Sequence, residues 1–526
     1  MLFQDQSETI AFLADAGAYR GLGLAGPVER IETHISEVFL VGERVFKLKR
    51  AVRFPYLDFS NEAKRKDAAE AELRLNRRTA PSIYLGLAAV TRRADGALAL
   101  AMHDGAEGKD DGTVIEWLVA MRRFPQEALL DAMAAAGRLP VELMEAVAEA
   151  VAAFHDAAAV ATRFGGAAGM RHAADGVRDA FAEIAAAAPD IFDPAAVAAL
   201  TEADEAATES LAPLLDARKA AGRVRRCHGD LHLRNIAMIE GRPAPFDCIE
   251  FSEEIACVDV LYDLAFLLMD LAHRDLAAHA NATLNRYLEI AGDHEGLAAL
   301  PLFLASRAAI RAHVTGTIAL GEKGGGRAAR VAEARAYLAL GNTLVKPPAP
   351  RLVAVGGLPG SGKTTVARGL APEIGPVPGA VVLRSDVIRK ALAGVDPLTR
   401  LGEDGYSAEM TARTYATLRA RAGAVLAAGH SVVVDAVHAR PDERAALEAV
   451  AAEAGVRFTG LWLEAPAREL ESRVAGRGAD ASDATVAVVR KALAYETGAL
   501  DWVRIDAGGA PAAVIAAARA ALAAGG

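Results

Sequence analysis

The run Leu352-Val353-Ala354-Val355, followed at once by Gly357-Leu358-Pro359-Gly360-Ser361-Gly362-Lys363-Thr364, leaves the C-terminal third of this chain few folds to choose from. An apolar strand must enter a glycine-rich turn whose N–H groups wrap phosphate oxygens, and a helix must leave at Lys363. Later segments agree with that demand. Ala380-Val381-Val382-Leu383, Ser431-Val432-Val433-Val434 and Phe458-Thr459-Gly460-Leu461-Trp462-Leu463 are short apolar runs separated by amphipathic helices, one of which starts at Asp386. This alternation predicts a parallel sheet with helices on both faces. Gly357, Gly360, Ser361, Gly362, Lys363, Thr364 and Thr365 are the expected nucleotide-binding residues. Lys363 neutralises the outer phosphates, and the Thr364 hydroxyl is placed for magnesium.

A second phosphate-handling signature lies in mid-chain: His228-Gly229-Asp230-Leu231-His232-Leu233-Arg234-Asn235. It has the spacing of a kinase catalytic loop, with Asp230 to accept a hydroxyl proton and Asn235 to hold a metal. Asp247, beside the strand-like Pro245-Phe246-Asp247, is the second expected metal ligand.

With 526 residues the chain exceeds one ordinary core. Lys346-Pro347-Pro348-Ala349-Pro350 cannot continue a helix and reads as a linker. The expected organisation is a β-rich lobe over 1–123, a helical lobe over 124–345, the linker 346–350 and a P-loop domain over 351–526. In the first lobe, Val38–Val41 and Arg44–Leu48 form a hairpin about Gly42-Glu43, Ser60 caps a charged helix running to about Arg78, and Asp95-Gly96 marks another turn. In the P-loop domain, Ser482-Asp483-Ala484 reads as a helix cap and Trp502–Asp506 as a late strand.

A formal net charge of -10 argues against a partner held by general electrostatics on nucleic acid. Three cysteines, Cys227, Cys248 and Cys257, suit reduced cytoplasmic thiols better than disulfides or zinc. The N-terminal sequence lacks signal-peptide character, and the sequence reads as having no uninterrupted apolar stretch of the roughly 20 residues that span a bilayer. A cytoplasmic protein without a membrane partner is the expectation.

On His228, Gly229, Asp230, His232, Asn235 and Asp247, residues 25 to 340 resemble the aminoglycoside phosphotransferase family, whose loop reads His-Gly-Asp-(Leu/Phe)-His-x-x-Asn. The resemblance implies a bilobal protein-kinase-like fold. It implies that Lys47 contacts ATP phosphates, with Lys49 as its rival, and that Glu72, chosen over Glu70, is its acidic partner. It also implies that Glu116-Trp117-Leu118-Val119 is the hinge beside adenine, with an edge strand carrying a core tryptophan as the alternative reading of the same residues. Thr33-His34-Ile35-Ser36-Glu37 stands where a Gly-rich loop would be, without its glycines, and His34 is a candidate phosphate contact.

Residues 351 to 526 are similar to the P-loop kinase group that includes polynucleotide kinase, zeta toxin and chloramphenicol phosphotransferase. Carrying that similarity are the P-loop, Ser385-Asp386-x-x-Arg389, the strand-end Asp435 and Arg473-x-x-x-Arg477. It implies that Asp386 is a general base, Arg389 orients the substrate, Asp435 is metal-associated, and Arg473 and Arg477 form a lid. An N-cap by Ser385 or Asp386 is compatible with catalysis.

Together the halves resemble bacterial fusions of an aminoglycoside-phosphotransferase-like domain with a P-loop kinase. The expected fold is multidomain, α+β then α/β. The expected function is a bifunctional phosphotransferase using ATP and Mg2+ on small hydroxylated acceptors at two sites. Rival readings make the N-terminal domain a ligand-sensing pseudokinase, or the C-terminal one a nucleic-acid end kinase or a plain NTPase.

Overall fold

Alternation along Phe39-Leu40-Val41 and Phe46-Lys47-Leu48 gives strands with two different faces, and this sets the layout of the N-terminal sheet. The computed structural model describes residues 4–54, 57–103, 112–476, 478 and 480–524. It divides into two compact units, Met1–Ala173 with Leu211–Leu267, and Ala174–Ser210 with Leu268–Gly526. The Pro-rich stretch 346–350 has no regular structure, and the second unit includes residues on both sides of it.

In the first unit, β1 (Val28–Glu32), β2 (Ser36–Val41), β3 (Arg44–Lys49), α1 (Glu62–Asn76), β4 (Tyr84–Arg93), β5 (Leu98–His103) and β6 (Gly112–Arg122) form an antiparallel sheet in the order β1-β2-β3-β6-β4-β5, with α1 packed on it. Val41 pairs with Arg44 across the Gly42-Glu43 turn. Phe39, Phe46, Leu48, Leu118 and Val90 share one buried cluster with Leu13 and Tyr19. Burying each such side chain contributes about 1.5–3 kcal/mol. The opposite face carries Trp117, Val119 and Ala89, which cluster with Ala69 of α1. Lys47 and Lys49 fall on that α1 face because they alternate with Phe46 and Leu48.

Asn61, rather than Ser60, caps α1: its side chain accepts the Lys64 N–H at 3.0 Å, whereas the Ser60 N–H donates to Asp58. Downstream, β7 (Ile236–Ile239) and β8 (Arg242–Pro245) form the short hairpin that ends just before Asp247.

The second unit carries α2 (Ala277–Ala291) and α3 (Leu300–Gly321), followed by β9 (Arg351–Gly357), α4 (Lys363–Leu370), β10 (Val381–Arg384), α5 (Ser385–Leu392), β11 (Val432–Asp435), β12 (Arg457–Glu464) and β13 (Val503–Asp506). The five strands are parallel in the order β10-β11-β9-β12-β13. Val353, Val355, Val433, Leu461 and Leu463 are buried with Val366 and Leu370 of α4 and Val514 of the last helix. Continuous apolar strands fit this fully covered sheet. The helix near Ser482 starts later than expected, at Val486, with Thr485 as its cap. Asp483 is instead engaged by Lys390, the Leu401 N–H and the Tyr406 hydroxyl.

Among the described residues, one helix is long and apolar enough to cross a membrane, Glu295–Gly321, with a mean hydropathy of 1.3. Arg307 and Arg311 interrupt its apolar run, so it does not contradict the expectation of no uninterrupted apolar stretch of roughly 20 residues. Two-thirds of its apolar window is buried inside the fold, as in the core helix of a globular domain.

Asp204 lines a cavity of about 10 Å³ with Val177, Leu200, Ser306 and Ala309. Neither of its carboxylate oxygens meets a hydrogen-bond partner. Burial, reinforced by the charge of Glu205, pushes this carboxyl up to about 7. The folded state therefore holds the proton more tightly than the unfolded chain, so this contribution to stability is complete below pH 4 and is lost as pH rises toward 7. Asp204→Asn should gain about 3 kcal/mol relative to the parent between pH 5 and pH 8 in urea unfolding. A pH-independent difference between the two proteins would contradict this assignment.

Candidate active sites

The mid-chain loop is held from below by one carboxylate. Asp263, fully buried, accepts the N–H groups of His228 at 3.1 Å and Gly229 at 2.7 Å, and its Oδ2 lies 3.1 Å from His155 Nε2. Gly229 adopts φ +84°, and a Cβ there would come within 3.1 Å of Ile249. Burial holds the His228 imidazole below its ordinary value, hence neutral. Its Nε2–H then donates to Phe246 O at 2.9 Å while Nδ1 accepts the Asp230 N–H at 3.3 Å. These bonds lift Asp230 toward solvent, leaving its side chain 38% exposed. Asn235, buried beside it, donates Nδ2–H to Asp230 O and Oδ2, both at 2.9 Å, and its own carbonyl accepts the Phe246 N–H.

Asp247 follows in a left-handed conformation, φ +61°, with its N–H on the Tyr84 hydroxyl. Lys47 Nζ bridges Glu72 Oε1 at 2.9 Å and Asp247 Oδ1 at 2.6 Å. Lys49 takes the other oxygen of Glu72 at 2.6 Å and also bonds Glu250. Two lysines thus share one acid, but Lys49 is sealed at 1% exposure while Lys47 reaches the half-exposed Asp247. Burial pulls the Lys47 ammonium downward, yet Asp247, Glu72 and Glu250 outweigh it and hold its pKa well above the ordinary value. Burial likewise opposes ionisation of Glu72, and the two lysines reverse that and keep it below the carboxylate range. Glu70 is exposed near Lys66.

Two sequence expectations find different surroundings. Glu116 to Val119 lie within β6, all four paired to β4 and Leu118 and Val119 also to β3, so most of their backbone is spent on the sheet. The Glu116 carboxylate is buried against Arg65 and Gln6. The chain leaves the sheet only at Arg123-Phe124-Pro125, where the Phe124 ring meets Phe246 edge-on at 5.4 Å. At the other end, Thr33 closes the β1–β2 turn on Ser36, and His34 is exposed beside Phe54.

In the second unit, the P-loop glycines Gly357, Gly360 and Gly362 hold positive φ, and a Cβ on Gly360 would approach Leu470 O to 2.6 Å. The Ser361 hydroxyl is buried without a partner, a donor suited to a phosphate oxygen. Thr364 Oγ1 donates to Asp435 Oδ2 at 2.6 Å, and Lys363 Nζ donates to Leu358 O at 3.1 Å. Thr365 is exposed on the first turn of α4. Arg384 lies 3.6 Å from Asp435 and bonds both oxygens of Asp480.

Asp386, half-buried on α5, takes no capping role, because the N-cap residue is Arg384 and no side chain caps this helix. Burial and the nearby Asp435 raise the Asp386 carboxyl, against Lys363 and Arg384. Arg389, one turn on, is buried; it donates to Gly405 O and Thr411 Oγ1 and stacks on Tyr406. Arg473 donates to Gly509 O at 3.3 Å and lies 3.6 Å from Glu469. Arg477 lies outside the described residues.

Asp263, Glu250, Arg384 and Asp480 are functional neighbours that the motifs did not name. Glu250 had a signal in charge balance, since two lysines on one buried strand face call for more than one acid. Arg384 had one as a cation ending the apolar run Val381-Val382-Leu383.

Residues 53–300 match the sequence model of the Phosphotransferase enzyme family, and residues 352–497 match that of an AAA domain. The chain joins an N-terminal domain like those of the phosphotransferase family to a C-terminal P-loop NTPase domain. Its fold is a bilobal kinase-like region followed by a helix-flanked parallel sheet, and its class is that of the kinases. An uncharacterized protein of Mycobacterium tuberculosis strain H37Rv is 29% identical over 501 residues, 91% of this chain and 92% of its own length, and one of Mycobacterium bovis matches equally. Among solved structures, a sugar kinase of Janibacter sp. HTCC2649 aligns with 33% of this chain and 95% of its own at 24% identity and TM-score 0.26. An amicoumacin kinase complex aligns with 64% and 96% at 15% identity and TM-score 0.37. The match to these two sequence models implies the use of ATP, typically with Mg2+.

Proposed function

We propose that the chain is a bifunctional ATP-dependent phosphotransferase acting on hydroxyl groups of small cytoplasmic molecules at two separate sites. The observation that carries this reading is that the two constellations share no residue. Lys47, Glu72, Asp230, Asn235 and Asp247 lie in the first unit, and Lys363, Thr364, Asp386 and Asp435 in the second. In each reaction the acceptor oxygen bonds to the γ-phosphorus, the bond to the β–γ bridging oxygen breaks, and the hydroxyl proton passes to Asp230 or Asp386. Hard oxygen donors suit magnesium at both places. In the first site these are Asp247 and Asn235, whose amide nitrogen is committed to Asp230. In the second they are Thr364 and Asp435. Bound magnesium would neutralise phosphate charge there. Lys47 and Lys363 would grip the phosphates, with the Ser361 hydroxyl as a further donor. Arg389 would orient the acceptor one helical turn from Asp386, with Arg473 and Arg477 as the lid to be tested by substitution. The acidic balance of the chain favours small acceptors over nucleic acid.

The glycine-free β1–β2 turn favours a second reading, in which the N-terminal domain senses a ligand and gates the P-loop kinase. Calorimetric titration with a non-hydrolysable ATP analogue and magnesium separates the two. The proposal expects two nucleotides per chain, one of which is lost in Lys47→Met and the other in Lys363→Ala. A single nucleotide, lost only in Lys363→Ala, would contradict it.

A further inference from the structure

β10 is an edge strand of the parallel sheet, so the outward N–H and C=O groups of its backbone have no strand to pair with. A helix supplies the partners. Asn285 of α2 accepts the Val382 N–H on Oδ1 at 2.6 Å and donates Nδ2–H to Ala380 O at 3.2 Å, the pair of bonds that one residue of a neighbouring parallel strand would make. Asn281, one turn earlier, donates to Pro378 O at 3.1 Å and Ala380 O at 3.0 Å. The two amides support each other, with Asn285 Nδ2 3.1 Å from Asn281 Oδ1. Both side chains are at least partly buried, and a Cβ on Gly379 would sit 2.9 Å from Asn281 Nδ2, so the approach requires glycine there.

Position gives this contact its functional weight. Two residues beyond Val382 stands Arg384, whose guanidinium lies near Asp435, and two beyond that stands Asp386. α2 belongs to the stretch matched by the phosphotransferase family, whereas β10 belongs to the P-loop domain. We propose that Asn281 and Asn285 are positioning residues of the P-loop site: an amide clamp from the phosphotransferase-family half replaces the missing edge strand and fixes β10, and with it Arg384 and Asp386, against β11. The P-loop kinase is then mechanically incomplete without helix α2. This inference rests on the reading of Asp386 as the working base.

The test uses the full chain with the first site silenced by Asp230→Asn, and reads magnesium-ATP turnover that disappears on Lys363→Ala. Asn285→Ala should lower kcat about ten-fold or more while KM for ATP holds, because the phosphate loop leaves a different strand, β9. Asn285→Asp gives a sharper readout. When protonated, its carboxyl can accept from Val382 N–H and donate to Ala380 O; when ionised, it can only accept. Turnover of this variant, taken as a fraction of the parent's at each pH, should approach one at pH 5 and fall to the fraction shown by Asn285→Ala by pH 8, whereas the Asn285→Ala fraction should not vary with pH. His430, 2.8 Å from Gly379 O, is a neighbouring titratable group; burial holds it down at about 4, below this range.

Unchanged kcat in Asn285→Ala, or an Asn285→Asp profile parallel to the parent's, would overturn the proposal. Should Lys363→Ala leave turnover untouched, the kinase reading of the P-loop falls instead, and amide exchange decides the clamp. Val382 to Asp386 should then exchange at least about ten-fold faster in Asn285→Ala with β9 unaltered, and unaltered exchange at Val382 would overturn it.

Discussion

Replacing Asp386 by Asn is expected to lower phosphoryl transfer at the P-loop site by about 10²- to 10⁴-fold while nucleotide affinity stays unchanged. The substitution keeps size and removes the proton-accepting oxygen together with its negative charge. Lys363, Ser361 and Thr364, the residues proposed to hold the phosphates, lie on the loop and helix leaving β9, not on α5. A second signature comes from pH. Burial and Asp435 raise the Asp386 carboxyl, and the base works only when ionised, so transfer should climb with pH through a range above that of an ordinary carboxylate. The Asn variant should lose that climb along with the rate. A mechanical NTPase would instead keep its ATP turnover in this variant.

Asp263→Ala should destabilise the chain by about 3–5 kcal/mol and abolish transfer at the mid-chain site. The carboxylate is fully buried, and its removal takes away the acceptor that the N–H groups of His228 and Gly229 and the ring of His155 share. A buried donor left without a partner costs about 1–3 kcal/mol. Because those two N–H groups immediately precede Asp230, the loop that presents the base loosens with the core. Urea unfolding measures the first effect, and amide exchange at residues 228–230 measures the second. Asp263→Asn, which retains one acceptor oxygen, should fall between Ala and parent. Native stability in the Ala variant would show that the loop is held by other means. Transfer at the P-loop site, built from a different set of residues, serves as the internal control.

What the sequence made readable was contiguous. The strand, glycine loop and helix around Lys363 span so few residues that local chemistry dictates them, and the loop from His228 to Asn235 is similarly short. Residues whose meaning lies in a distant partner were opaque. Asp263 meets His228 across 35 positions, Lys49 meets Glu250 across 201, and Asn281 meets Ala380 across 99, and no motif marks any of these. Strand ends were also hard to place: β6 runs for 11 residues, and apolar alternation cannot say that Glu116 lies in its interior rather than at its exit. The cap at Asn61 was missed for a related reason, since Ser60 and Asn61 are both good caps and only the backbone decides between them.

The central claim is that one chain holds two independent phosphoryl-transfer centres. Incubating labelled ATP and a cytoplasmic metabolite extract with the parent, Asp230→Asn, Asp386→Asn and the double variant tests it most directly. Two labelled products are expected from the parent, with the loss of a different one in each single variant and of both in the double. If either single variant removed both products, or if Asp230→Asn removed none, the claim of two independent centres would be contradicted.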